Sequence, residues 1–354
     1  MTTTDILVNR LFNQQIAATE FTTPAQIVAH LGAMQAQEFM MAKWAIGLRL
    51  GGKLCEQDLQ ASFDKGEILR THIMRPTWHF VAPQDIRWML SLCGPRVLGG
   101  NKSMEKQLEL DTKIFSKCNK LLTKILGGNT YLTRDEIRGE LEKVMTIGSG
   151  QRLAYIMMQA EQIALICSGP RNGKQFTYAL LDERAPSAPT YTREEALAKL
   201  TERYFASRGP ATVNDMAVWS GLTLKDVREG VSNLPKDFIH EVIGEKEYIF
   251  KPVEEKLSKQ HQSTFLMPDY DEYGMGYKDR SALKTSTALP YWGNNGTPYS
   301  HWLVVDGTIE GTWEKVVKGK TVSVKTTPFS SFTKTQEKKV LTAVNKYESF
   351  MNPS

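Results

Sequence analysis

The sequence predicts an α+β fold built of short capped helices followed by hairpins, with a β-rich C-terminal part. Three features carry this. Helix start and stop signals recur in pairs, alternating apolar segments with glycine turns follow them, and the residues beyond about 262 read mainly as strands.

The clearest unit is GPATVNDMAVWSGLTLKDVREGVSNLPKDFIHEVIGEKEYIF, which starts at Gly209. Thr212 with Asp215 has the form of a capping box, and Gly221 that of a helix stop. Thr223 caps a second helix whose apolar stripe is Leu224, Val227 and Val231. FIHEVI and EYIF, separated by Gly244 to Glu247, read as a hairpin. Helix, turn, helix and hairpin in this order make a winged helix. A second copy begins at Tyr131. Thr133 and Glu136 form a capping box, a Gly-Ser-Gly turn leads into QRLAYIMMQAEQ, and IALICS passes through SGPRNGK into QFTYALL. The first copy is degenerate: Thr23-Pro24 opens AQIVAHLGAM, and a helical stretch runs from Glu38 to Leu50. The helix QDLQASFDKG follows, and IMRPTWHFVA then supplies strand residues.

A linker is expected at Glu183 to Pro189, which is rich in Pro and Ala. Towards the C-terminus, LVVDGTIEGTWEKVVKGKTVSVKTTPF reads as antiparallel strands with Asp-Gly and Lys-Gly turns, and KTQEKKVLTAVNKYESFM as a closing amphipathic helix. The expected organisation is three winged-helix modules at 1–125, 126–190 and 191–262, then a β-rich part at 263–354.

A chain of 354 residues exceeds one small core, and a hydrophobic fraction of 41% with 23% charge fits a globular protein. MTTTDILVNRLFNQQIA lacks the basic and apolar regions of a signal peptide, and no later stretch approaches the roughly 18 apolar residues of a membrane span. The four cysteines, Cys55, Cys93, Cys118 and Cys167, are widely spaced without a C-x-x-C pair. They predict buried, reduced thiols in a cytoplasmic protein, and no metal or cofactor is expected. A net charge of +5 permits a nucleic-acid partner without requiring one.

Four groups of residues can carry chemistry. Gln35-Ala36-Gln37 is uncharged, so it cannot serve as an ordinary acid or base. In an extended segment the two amides point to one side and can hold a water; at a helix end they are two solvated amides. ILRTHIMRPTWHFVAP concentrates Arg70, His72, Arg75, Trp78 and His79, which either pack or grip a phosphate and stack a base. A continuous strand here would put Thr71, Ile73 and Arg75 on one face and His72, Met74 and Pro76 on the other. The turn Ser168 to Lys174 presents Arg171, Asn172 and Lys174, as a wing against phosphates or as a solvated tip. Asp269 to Tyr273 is an acid cluster, suited either to catalysis or to a structural network with Lys278 and Arg280.

LGAMQAQEFMMAKWAIGLRL, RTHIMRPTWHFVAPQDIRWML, YDEYGMGYKDR and VVDGTIEGTWEK together resemble the AlkZ/YcaQ-like family of winged-helix DNA glycosylases. The four blocks span nearly the whole chain and stand in the family's order. The resemblance implies three tandem winged helices in a C-shaped, DNA-binding molecule. It also implies a catalytic Gln-x-Gln motif, here Gln35 and Gln37, and excision of bulky N-alkylated purines from double-stranded DNA, interstrand crosslinks among the candidate substrates. Arg70, His72, Arg75, Trp78, His79, Arg171, Asn172 and Lys174 are then candidates for DNA contact, and Asp271, Tyr273 and Arg280 for support of the active site. A nucleoid-associated monomer without metal or cofactor is the matching expectation. The alternative is a non-catalytic, regulatory winged-helix protein.

Overall fold

The computed structural model describes residues 1–185, 189–252, 264–283 and 301–352. The centre of the expected linker, 186–188, and the boundary at 262/263 lie outside them.

Near the N-terminus, capping boxes open helix α1 (Thr3–Asn13) at Thr2 and Asp5, and α2 (Pro24–Leu31) at Thr23 and Gln26. The helix expected across AQIVAHLGAM stops at Leu31 because Gly32 turns to φ +75°, a conformation open to glycine. Release from the helix frees strand β1 (Ala33–Gln35). Helices α3 (Phe39–Arg49) and α4 (Glu56–Lys65) follow, then β2 (Leu69–His72) and β3 (Trp78–Val81). The strands form an antiparallel sheet in the order β1-β3-β2, with Gln35 and Thr71 both opposite His79. The strand expected through Ile73 to Thr77 is a turn instead, so the two-face alternation predicted there ends at His72.

Two long helices, α5 (Pro83–Gln107) and α6 (Thr112–Leu126), lead to the second unit. It contains β4 (Leu132–Thr133), α7 (Arg134–Glu142), α8 (Gly150–Gln162), β5 (Ile166–Ser168) and β6 (Thr177–Leu180), the strands in the order β4-β6-β5. Strand β5 is shorter than IALICS, because Leu165 N–H returns to Ala160 O and closes α8 first. After the short α9 (Leu181–Arg184), α10 (Arg193–Arg208) precedes the third unit. There α11 (Val213–Ser220), α12 (Leu224–Val231) and the hairpin β7 (Ile239–Ile243) and β8 (Lys246–Phe250) have the expected caps and stop.

The C-terminal part is a sheet of β9 (Phe265–Met267), β10 (Trp302–Val305), β11 (Thr308–Lys318) and β12 (Thr321–Pro328), in the order β12-β11-β10-β9. The closing helix Lys334–Met351 packs back on the N-terminal unit, where Trp44 meets Tyr347 edge-on at 5.0 Å. One apolar core therefore joins residues such as Leu31, Trp44 and Phe80 to Trp302, Ile309 and Phe350. The N-terminal and C-terminal parts share a single interior. Cys93, Cys118 and Cys167 are buried and all four cysteines are free. Among the described residues, no helix is long and apolar enough to cross a membrane.

Helices α10 and α12 approach so closely that a Cβ at Gly230 would lie 2.0 Å from the buried Thr201 Oγ1. Gly230→Ala should therefore lower stability by roughly 1–3 kcal/mol in a urea titration, through overpacking. The gain of about 1 kcal/mol in helix propensity is too small to reverse the sign.

Candidate active site

The chain leaves α2 as the short strand β1, which ends at Gln35, the first residue of the Gln-x-Gln segment. Ala36 is fully buried, with its N–H donated to Trp78 O at 2.7 Å. Gln35, the last residue of β1, is at 7% exposure, and Gln37, in the bend that follows, is exposed. Both amides face the turn between β2 and β3. Arg75 Nη2 donates to Gln35 Oε1 at 3.3 Å, and Trp78 N–H donates to Gln37 Oε1 at 3.4 Å. Each partner is donor-only, which identifies the atom it faces as the amide oxygen. A carbonyl oxygen has a second lone pair, so each amide retains an acceptor site and its NH2 group for a water or substrate.

The same Arg75 nitrogen lies 3.3 Å from His79 Nε2, which must therefore accept. His79 then carries its proton on Nδ1 and donates it to Thr77 O at 2.8 Å. Burial, and then the Arg75 charge, hold His79 well below its ordinary pKa, so the ring is neutral. It aligns the guanidinium that holds Gln35.

Behind the motif lies a buried carboxylate. Glu272 Oε1 accepts the Gln35 N–H at 2.9 Å, and Oε2 accepts Trp219 Nε1–H at 2.9 Å and Arg208 Nη2–H at 2.6 Å. Arg208 in turn donates to Leu31 O at 2.7 Å and Ala33 O at 2.8 Å. The chain leaving α2 is thus pinned at Leu31, Ala33 and Gln35 by one ion pair. Nearby, Asp269 is pushed up to about 7 by burial and then by the charge of Glu38, the residue after Gln37. Its carboxyl can change protonation near neutral pH.

The profile of the family described as DNA glycosylase AlkZ-like matches residues 28–350, nearly the whole chain. The chain belongs to the AlkZ-like DNA glycosylase family. Among solved structures, the Streptomyces sahachiroi DNA glycosylase AlkZ superposes with a TM-score of 0.80 at 18% identity, covering 99% of this chain and 98% of that one. A search of curated proteins finds no match.

Within this AlkZ-like fold the other sequence-derived candidates take varied places. Arg70 is buried at 5% exposure and donates its Nε–H to Ala36 O at 3.0 Å, so it braces the motif from the side. His72 is buried against Glu161 and stacks on Trp78 at 3.9 Å, while His79 is wholly buried. Neither histidine faces outward in this structure. They lie beneath the turn because their sheet packs on both faces, which local spacing does not reveal. Arg75 and Trp78 are half-buried beside the glutamines. Arg171 folds back over Phe176 at 4.1 Å, whereas Asn172 and Lys174 remain exposed at the hairpin tip.

Asp271, Tyr273 and Arg280, the expected supports of the site, bond elsewhere in the fold. Asp271 forms a two-pronged buried pair with Arg49 at 2.8 and 2.9 Å, Tyr273 Oη–H donates to Gly307 O at 2.9 Å, and Arg280 Nε–H donates to Gly274 O at 2.8 Å. Two acids of the cluster are in buried ion pairs, Asp271 with Arg49 and Glu272 with Arg208. Glu272 is the member that reaches the motif. Its only sequence signal was membership of the cluster, since Arg208 is 64 positions away.

Proposed function

We propose that the chain is a monofunctional DNA glycosylase that hydrolyses the N-glycosidic bond of bulky N-alkylated purines in duplex DNA, crosslinked ones included. It acts as a monomer, and Gln35 and Gln37 place the attacking water. The observation that supports this reading is that both amide oxygens accept from the region where β3 begins, Gln35 from Arg75 and Gln37 from Trp78, each amide keeping an acceptor and a donor for a ligand. The helix, helix and hairpin units around α7–β6 and α11–β8 support winged-helix modules as the DNA-binding frame.

The chemistry follows from charge. An N7-alkylated guanine is already cationic, so it departs without protonation by an acid. What the enzyme must supply is a water near the anomeric carbon and dipoles facing an oxocarbenium-like sugar. Two neutral amides suit both tasks. A carboxylate would also attract the cation, but it would give up the NH2 donor that fixes the orientation of the water. An open cleft reaches the bond without enclosing a bulky adduct, so complete extrusion of the base is unnecessary.

The test is release of free base from duplexes carrying a single N7-methylguanine, followed by alkali treatment. Base release with strand scission only after alkali is expected. Comparable release of adenine from undamaged duplex would overturn the role given to substrate charge.

A further inference from the structure

A cavity of about 400 Å³ opens between the β2–β3 turn and the hairpin of the second unit, walled by Arg70, Trp78 and Phe176 with Lys174, Arg134 and Asp135 at its mouth. Its floor is unusual in composition. Arg70 lies between two rings, 4.2 Å from the centre of Trp78 and 4.3 Å from that of Phe176. Trp78 also meets His72, and Phe176 also carries Arg171, so the five side chains form one continuous row. Each ring already has two close partners. The cavity therefore offers an incoming group a guanidinium edge rather than a free aromatic face.

That edge is chemically unsatisfied. Arg70 uses Nε for Ala36 O, yet among the described residues its two terminal nitrogens have no hydrogen-bond partner and no carboxylate lies within ion-pair distance. Burial is costly for the Arg70 cation, and Glu161, the opposing charge that acts on it most, is itself paired with His72, so an anion bound in the cavity offsets part of that cost. Lys174 and Arg134 at the mouth outnumber Asp135, so the entrance is positive.

We propose that this cavity is a pocket for one backbone phosphate of the lesion-bearing duplex, gripped by the terminal nitrogens of Arg70. The inference rests on Gln35 and Gln37 as the reacting pair. Because the opposite edge of the same guanidinium holds Ala36 O, the bound phosphate sets the position of the motif along the strand. Arg70 is thus a positioning residue: it converts the register of the backbone into the register of the water.

The test replaces single phosphates around an N7-methylguanine with uncharged methylphosphonates, one position at a time. For the unmodified protein, one position should weaken duplex binding and single-turnover release by roughly tenfold, the value of one charge-assisted contact. In Arg70→Met that position should cost less than about twofold, and in Lys174→Ala the penalty should shrink. Lys174 is exposed, so its variant carries the test should Arg70→Met fail to fold. If every methylphosphonate costs both variants the same factor as the unmodified protein, the pocket is excluded. If the unmodified protein binds with this pattern but releases no base, the catalytic reading of the glutamines fails and the pocket stands.

Discussion

Gln37→Ala is expected to slow single-turnover release of N7-methylguanine by about 10²-fold while leaving duplex affinity within about threefold. Gln37 is exposed, and among the described residues its side chain's one hydrogen bond is a long one from Trp78 N–H at 3.4 Å. Its removal should therefore cost the fold little, which makes it the cleaner probe of chemistry. Gln35→Ala should slow the reaction by a similar factor, with an added stability loss. Gln35 is buried and accepts from Arg75, so truncation also leaves that guanidinium underused. The double variant should fall well short of the product of the two losses, because both amides hold the same water. Rates multiplying independently would mean that the two glutamines act on different atoms. An unchanged rate in either single variant would remove that residue from the mechanism.

Gln37→Glu separates two ways in which the amide can act. A carboxylate still accepts a hydrogen bond from water and adds negative charge beside the sugar, but it cannot donate. Retained activity in this variant would assign the main effect to charge stabilisation. Loss approaching that of alanine would assign it to orientation.

Local features of the fold were legible because their causes are local. Thr133 with Glu136 and Thr212 with Asp215 satisfy backbone donors three residues away, and Gly221 ends its helix through its own φ of +73°. An extended Gln35 was one of two readings; Gly32 ends α2, and β1 then carries Gln35, with Gln37 in the bend beyond it. What was not legible depends on distant parts of the chain. His79 has two arginines near it in sequence, yet it becomes buried because β3 is the central strand of its sheet. The acids at 271 and 272 lie close in sequence to Lys278 and Arg280, but the ion pairs they form inside the fold are with Arg49 and Arg208, far away along the chain.

The link between stability and chemistry in this protein runs through Glu272, and Glu272→Ala is the substitution with the largest expected structural effect. The side chain is buried and accepts from Gln35 N–H, Trp219 Nε1–H and two nitrogens of Arg208. Its removal leaves the Arg208 charge buried without a counter-ion, a loss of about 3–5 kcal/mol. That is a large part of the roughly 5–15 kcal/mol that holds a typical domain folded. Glu272→Gln should be nearly as damaging. All four partners are donors, so whichever way the amide is turned, its NH2 faces another donor. Urea titration measures this loss, and the informative control is Asp271→Asn. Asp271 is equally buried and equally paired, through Arg49, but it makes no contact with the motif. Both substitutions should lower the urea midpoint. At a temperature where both remain folded, only the change at 272 should reduce the rate of base release, because only Glu272 fixes the backbone from which Gln35 projects. Equal rates for the two folded variants would show that the motif holds its geometry without this anchor.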